Sequence, residues 1–268
     1  MLRIFDNPAA LVAAYTAAGC PRTHNGDNTY WLGGTIDGAL HDLRNGGNEK
    51  HVSAARALLD KIMPSLPASH VEAWSPDIAG AYPSVPDFLA GAPDCMRRRI
   101  RQESDSAPVH ILINTVSSGG IPAADLTRRG VACLALAMAL QATRGVRLYI
   151  AATLHGADTA GRTEYLVRVP SEPLSLAEAC TILCDGAVTR GILYGLGRHE
   201  NGFDGGWPRG ASGAGITYMR GLAARAGMPE DTIILTPPSL GHGDDLPEMK
   251  RDPVAWVKAR LAPFMPQD

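Results

Sequence analysis

The period of the hydrophobic positions changes near residue 108. Upstream, apolar residues recur at helical spacing. Val52, Ala55, Leu58, Leu59 and Ile62 fall on one face of a helix predicted over residues 51–63. Asn7-Pro8 reads as a cap with proline in the first turn of a helix at 9–18, which Gly19 closes. Thr35 caps a further helix through Arg44, ended by Gly46-Gly47. Residues 64–93 are punctuated by Pro76, Pro83, Pro86 and Pro93, and read as an extended, turn-rich passage with a hint of strand at 71–74.

Downstream, the pattern becomes strand, loop, helix, strand. Residues 109–116 are apolar on both faces at Ile111, Leu112 and Ile113, as a central parallel strand requires. A helix over 125–143 is apolar nearly all round and is closed by Gly145. A second strand follows at 146–154. Residues 164–169 alternate Tyr165, Val167 and Val169 with Glu164 and Arg168, the signature of a strand wet on one face. Ser175 and Glu178 form a capping box that opens a helix to about residue 193. A loop at 208–215, a helix at 216–226, a short buried strand at 232–235 and a helix from the Asp252 cap to Leu261 complete the pattern. The order is that of an α/β fold with a parallel or mixed sheet. Residues 1–107 read as a helical, loop-rich region and residues 108–268 as the α/β domain.

Composition narrows the function classes. The 268 residues are 45% hydrophobic and 19% charged, enough to bury a sizeable core. The net charge of −2 disfavours a surface that grips nucleic acid as a whole. The five cysteines, Cys20, Cys95, Cys133, Cys180 and Cys184, are odd in number, and three lie in apolar helical runs, so reduced thiols are expected. Asp6, Asn7 and Pro8 break any signal-peptide pattern, and the apolar run 131–142 is shorter than the roughly 20 residues that span a bilayer. The expectation is a soluble protein with no membrane partner and no cofactor.

Three clusters are candidates for chemistry. Asn114, Ser117, Ser118 and Gly119 lie in a loop at the carboxyl end of the first sheet strand, where open α/β sheets bind ligands. No Gly-Lys-Ser/Thr pattern follows, so it is not a nucleotide P-loop. Arg97, Arg98, Arg99 and Arg101 could hold phosphates, although Glu103 and Asp105 sit close by and a locally paired, solvated run is the favoured reading. His242, Asp244 and Asp245 offer nitrogen and oxygen ligands for a divalent metal, but no partner cluster accompanies them, and a surface turn is favoured. His110 and His155 flank strands with no nucleophile in recognisable order nearby.

Two resemblances follow from particular residues. Asn114-Thr115-Val116-Ser117-Ser118 stands where a von Willebrand factor A-type domain carries the Asp-x-Ser-x-Ser pattern that holds magnesium. Residues 108–235 resemble that fold. Asn114 replaces the carboxylate, Val116 replaces the first serine, and Ser118 alone matches, so no intact metal motif is expected. Separately, Trp31-Leu32-Gly33-Gly34, Val85-Pro86-Asp87-Phe88-Leu89-Ala90-Gly91, Cys95-Met96-Arg97-Arg98, Ser117-Ser118-Gly119-Gly120-Ile121 and Arg128-Arg129-Gly130-Val131-Ala132 resemble a family of uncharacterised proteins of tailed bacteriophages and bacterial mobile elements. This second resemblance implies a phage setting: the host cytoplasm, with the virion as a second location. It implies no chemistry.

The resulting expectation is a non-enzymatic interaction or assembly factor with a phage or host protein partner. The alternative is a nucleic-acid-processing or other metal-dependent hydrolase. It would use the arginine run for phosphates and the 242–245 cluster for metal.

Overall fold

The computed structural model describes residues 1–20, 29–65, 73–77, 82–93, 95–100, 107–155, 162–171, 173–200, 209–210, 215–238 and 246–264. In chain order the first elements are β1 (Leu2–Phe5), α1 (Pro8–Ala17), α2 (Thr29–Leu32), α3 (Ile36–Arg44), α4 (Val52–Ile62), β2 (Ala73–Asp77), β3 (Tyr82–Pro83), α5 (Val85–Leu89) and β4 (Met96–Ile100). They are followed by β5 (Val109–Asn114), α6 (Ala123–Thr143), β6 (Val146–His155), β7 (Arg162–Val169) and α7 (Leu176–Cys184). A π-helical segment at Val188–Leu193 leads into α8 (Tyr194–Glu200), β8 (Arg209–Gly210), α9 (Ile216–Arg225), β9 (Ile233–Leu235), α10 (Leu246–Arg251) and α11 (Pro253–Leu261).

The main sheet has the order β1-β7-β6-β5-β9 and is mixed. The α/β class read from the periodicity is the observed one. β5 is an interior strand, one in from the edge strand β9, and not the middle strand, which is β6; it is parallel to both β6 and β9. The β6–β7 pair is antiparallel, and β1 runs parallel to β7. Since β7 follows β6 as far as His155, the two-residue β8 pairs with β6 on the side of β5, beyond the end of that strand. β1 is too short, and too close to the α1 cap, to show a period-2 signal, which is why the pattern reveals a helix there and no strand. A second, three-stranded antiparallel sheet has the order β2-β4-β3.

Alternation along β5 sends Val109, Ile111 and Ile113 into a large apolar cluster, and Leu112 into a smaller one on the opposite face. On the large side, α6 packs against α4, α7, α10 and α11. Phe5, Leu11 and Tyr15 near the start and Trp256 and Leu261 near the end belong to the same cluster. Leu134 and Leu136 are fully buried on α6, whereas Met138 is half-buried. On the small side, Met219, Leu222 and Ala223 of α9 cover Leu112, Ala151 and Leu166.

Several local signals act as read. The Asn7 side chain accepts from the Ala10 N–H at 2.8 Å, Thr35 Oγ1 from Gly38 at 3.0 Å, and Asp252 from Ala255 at 2.9 Å. Ser175 makes no such cap bond. The helix it opens also departs from expectation. It stops at Cys184, Asp185 takes an extended conformation, and the chain resumes in the π-helical segment. Close packing explains the neighbourhood. A Cβ on Gly130 of α6 would stand 2.2 Å from the Leu183 carbonyl oxygen, so glycine sets how near α7 approaches α6. Thr127 Oγ1 donates to the Cys184 carbonyl at 2.8 Å in the same contact.

Candidate functional site

The loop after β5 is the site the sequence points to, and its polar groups are engaged inside the molecule. Asn114 is fully buried. Its Nδ2 donates to Thr153 Oγ1 at 2.9 Å and lies 3.4 Å from Met219 Sδ, while Oδ1 accepts from the Val116 N–H at 3.0 Å. Each of these contacts uses the chemistry of an amide, with a donor and an acceptor on one side chain. A carboxylate could accept from the Thr153 hydroxyl, but it would set a buried negative charge against Met219 Sδ, which has no hydrogen to donate. Thr189 Oγ1 donates to Thr115 Oγ1 at 2.9 Å.

Two buried arginines complete the lock. Arg190, from the π-helical segment, is fully buried. It donates to Ser117 Oγ at 2.9 Å and to the carbonyls of Ser118, Ile121 and Trp31 at 3.1, 2.7 and 2.6 Å. Its guanidinium carbon sits 4.8 Å from the centroid of the Trp31 ring, a cation–π distance. Arg129 of α6 donates to Asn114 O at 3.2 Å and Thr236 O at 2.6 Å, tying together the carboxyl ends of β5 and β9. Among the described residues neither arginine has a carboxylate in ion-pair range, and each leaves its Nε unpaired. Burial lowers the Arg190 pKa, with Tyr194 opposing that shift. Burial also pushes the Tyr194 phenol up to about 12, so it stays protonated; its hydroxyl lies 3.5 Å from Ser117 O. This arrangement fixes a loop. Ser118 is half-buried and Gly119 exposed, and they remain at its rim.

Sequence reasoning passed over both arginines. The available signal was a cation set against an apolar stretch of helix, Arg129 at the head of 130–140 and Arg190 within 186–197. A cation so placed must find acceptors in the interior.

The other predicted clusters lie elsewhere. Positions 97, 98 and 99 fall in β4, the middle strand of the small sheet, where Arg97 pairs in register with both Pro76 and Tyr82. Arg101, His242, Asp244 and Asp245 lie outside the described residues. Among the described residues there is no group of three His, Cys, Asp or Glu side chains able to hold a metal ion. No helix among them is long and apolar enough to cross a membrane.

A feature absent from the sequence candidates stands between β3 and β4. The Ser84 N–H donates to Cys95 O at 2.7 Å and closes the base of a short excursion. Within it, α5 starts at Val85-Pro86 and ends in a turn where Gly91 has φ +72°. Proline in the first turn and glycine past the end make this helix compact despite its five residues. Its apolar side chains face solvent: Val85 is 60% exposed, Phe88 67% and Leu89 78%. The large hydrophobics of the core are buried almost completely, so this knob is an apolar surface feature of the kind that marks contact sites.

No curated protein and no solved structure matches the chain. The family model described as "Domain of unknown function (DUF7192)" matches residues 3–257, from β1 through α11, and the chain belongs to that family.

Proposed function

We propose that this chain is a non-enzymatic interaction or assembly factor, encoded by a phage or related mobile element, that engages a protein partner through the α5 knob. The observation carrying this reading is the exposure of Val85, Phe88 and Leu89 on a short helix pinned at its base by the Ser84–Cys95 hydrogen bond. Aromatic and aliphatic anchors on a rigid support are what a protein cleft binds with least entropic cost. The interior use of Asn114 and Ser117 supports the same reading, because the loop at the end of β5 serves as a strut and spends its polar groups on the fold. The resemblance to von Willebrand A-type domains is then one of fold, with the ion-binding role given up at Asn114. The setting is the infected cell, in the cytoplasm or on the virion.

The test is affinity capture from infected cells with wild-type protein and with the double variant Phe88→Asp, Leu89→Ser. A specific partner should be recovered with wild type and lost with the variant at unchanged thermal stability, since these side chains bury little. Recovery of the same partner by the variant refutes the reading. So does a salt-sensitive gel shift of DNA or RNA by the purified protein, which is the signature of phosphate contacts.

A further inference from the structure

A cavity of about 450 Å³ opens on the α9 side of the sheet, at the starting ends of β5 and β6 and the finishing end of β7. His110, Arg147, Tyr149, Arg168 and Ser171 line it together with the turn after α9. The register explains why these side chains meet. His110 of β5 stands beside Arg147 of β6, and Tyr149 of β6 stands beside Arg168 of β7. All four share one face by the period-2 rule. The His110 and Tyr149 rings stack with centroids 5.6 Å apart and planes at 22°, which gives the cavity an aromatic wall.

Two features point to an anion. First, two guanidinium groups border one cavity. Arg168 is held by an ion pair with Asp6 at 2.9 Å whose members are 47% and 79% exposed, so that bond is readily exchanged for a ligand. Second, His110 lines the cavity, and its buried Nδ1 has no hydrogen-bond partner among the described residues, so the ring carries an unmet polar group. The turn that lines the cavity follows the C-terminal, negative end of α9, but the last carbonyls of that helix are spent within the turn. Those of Leu222, Ala223 and Ala224 already accept from the N–H groups of residues 226–228. Burial, then Arg147, lower the His110 pKa against the opposing pull of Asp231. The neutral ring in its Nδ1–H form donates one hydrogen bond.

We infer that this cavity binds a small organic anion of the phosphate-monoester class that carries a planar ring. Arg147 and Arg168 take the phosphate oxygens, His110 Nδ1 donates to one of them, and the ring lies against the His110–Tyr149 wall. Planar forks on two adjacent strands suit a tetrahedral oxyanion better than point charges would. The volume falls in the range of small-molecule pockets, roughly 300–1,000 Å³. The site is separate from α5 and does not depend on the proposed partner.

Adenosine monophosphate serves as the probe, with adenosine and inorganic phosphate as the separate halves. The readout is the imidazole ¹⁵N signal of His110 in the full chain, together with calorimetry. Adenosine monophosphate should give a saturable shift at millimolar concentration or below, at least about tenfold tighter than either half. Arg147→Ala or Arg168→Ala should weaken it by about tenfold or more, and Phe88→Asp should leave it unchanged. Should an alanine variant fail to fold, Arg147→Lys keeps the charge, loses the fork and should weaken binding by a smaller factor. The absence of a saturable shift with the wild-type protein overturns the proposal. Equal affinity for adenosine and its monophosphate does so too, as does binding indifferent to both arginines.

Discussion

Removing the Arg190 guanidinium tests whether the loop after β5 is held from within. Arg190 supplies hydrogen bonds to three backbone carbonyls, Trp31, Ser118 and Ile121, and to Ser117 Oγ. In Arg190→Ala all four acceptors lose their donor; those at Ile121 and Ser117 are buried and those at Trp31 and Ser118 partly so, and an orphaned buried acceptor costs about 1–3 kcal/mol. The vacated volume adds a cavity cost, and water entering this polar space recovers part of the loss. The net expectation is at least about 4 kcal/mol, in the range that only a broken buried network reaches. For a chain of this size that corresponds to a fall in Tm of about 8–16 °C. Differential scanning calorimetry reads the shift, and the fluorescence of Trp31, over which Arg190 sits, reports the local change. Two further variants separate the causes. Arg190→Met fills the space without donors and should lose nearly as much as alanine. Arg190→Lys keeps the charge and up to three donors without the planar fork and should lose about half. If Arg190→Met is as stable as wild type, the buried cation is merely tolerated and the strut argument fails.

Three other changes probe neighbouring parts of the fold. Asn114→Asp puts a carboxylate where Nδ2 donates to Thr153, so it should cost about 2–3 kcal/mol in urea unfolding; a variant as stable as wild type that also binds Mg²⁺ calorimetrically would show that the loop keeps a metal geometry. Gly130→Ala drives a methyl against the Leu183 carbonyl and should cost upwards of about 2 kcal/mol, whereas a neutral outcome would mean that the α6–α7 contact relaxes freely. Burial raises the Asp185 pKa, with the Ala187 N–H opposing, so the folded state holds its proton more tightly than the unfolded one. That contribution is fully present below the ordinary carboxylate range near about 4, and is lost as pH rises through the higher folded value. Asp185→Asn keeps an acceptor for Ala187 and should remove this fall, so its stability relative to wild type should grow with pH over that window; a difference independent of pH refutes it.

The α/β class was legible because periodicity is a local property. Ile111 to Ile113 can be apolar at every position only if the strand is covered on both faces, and β5 is so covered by α6 and α9. The caps at Asn7, Thr35 and Asp252 were legible for the same reason, since donor and acceptor lie three residues apart. The loop at 114–119 was correctly placed at the end of a parallel strand covered on both faces. Its role was not legible, because the groups that occupy it come from far along the chain: Thr153, Thr189 and Arg190 lie dozens of residues away.

Local pattern carried most of the succession of helices and strands beyond residue 108, the apolar faces and the strand end at which to look. Those follow from short-range sterics and from burial of periodic apolar positions. The tertiary structure decided which polar side chains are spent on the interior and which are left facing outward. Arg129 and Arg190 read as ordinary helix cations until the strands and helices meet around them. Phe88 and Leu89 read as ordinary hydrophobics until their helix is seen standing clear of the core. His110 and Arg168 become neighbours of one cavity through the pairing of β5, β6 and β7, a register set by long-range contacts that no local pattern encodes.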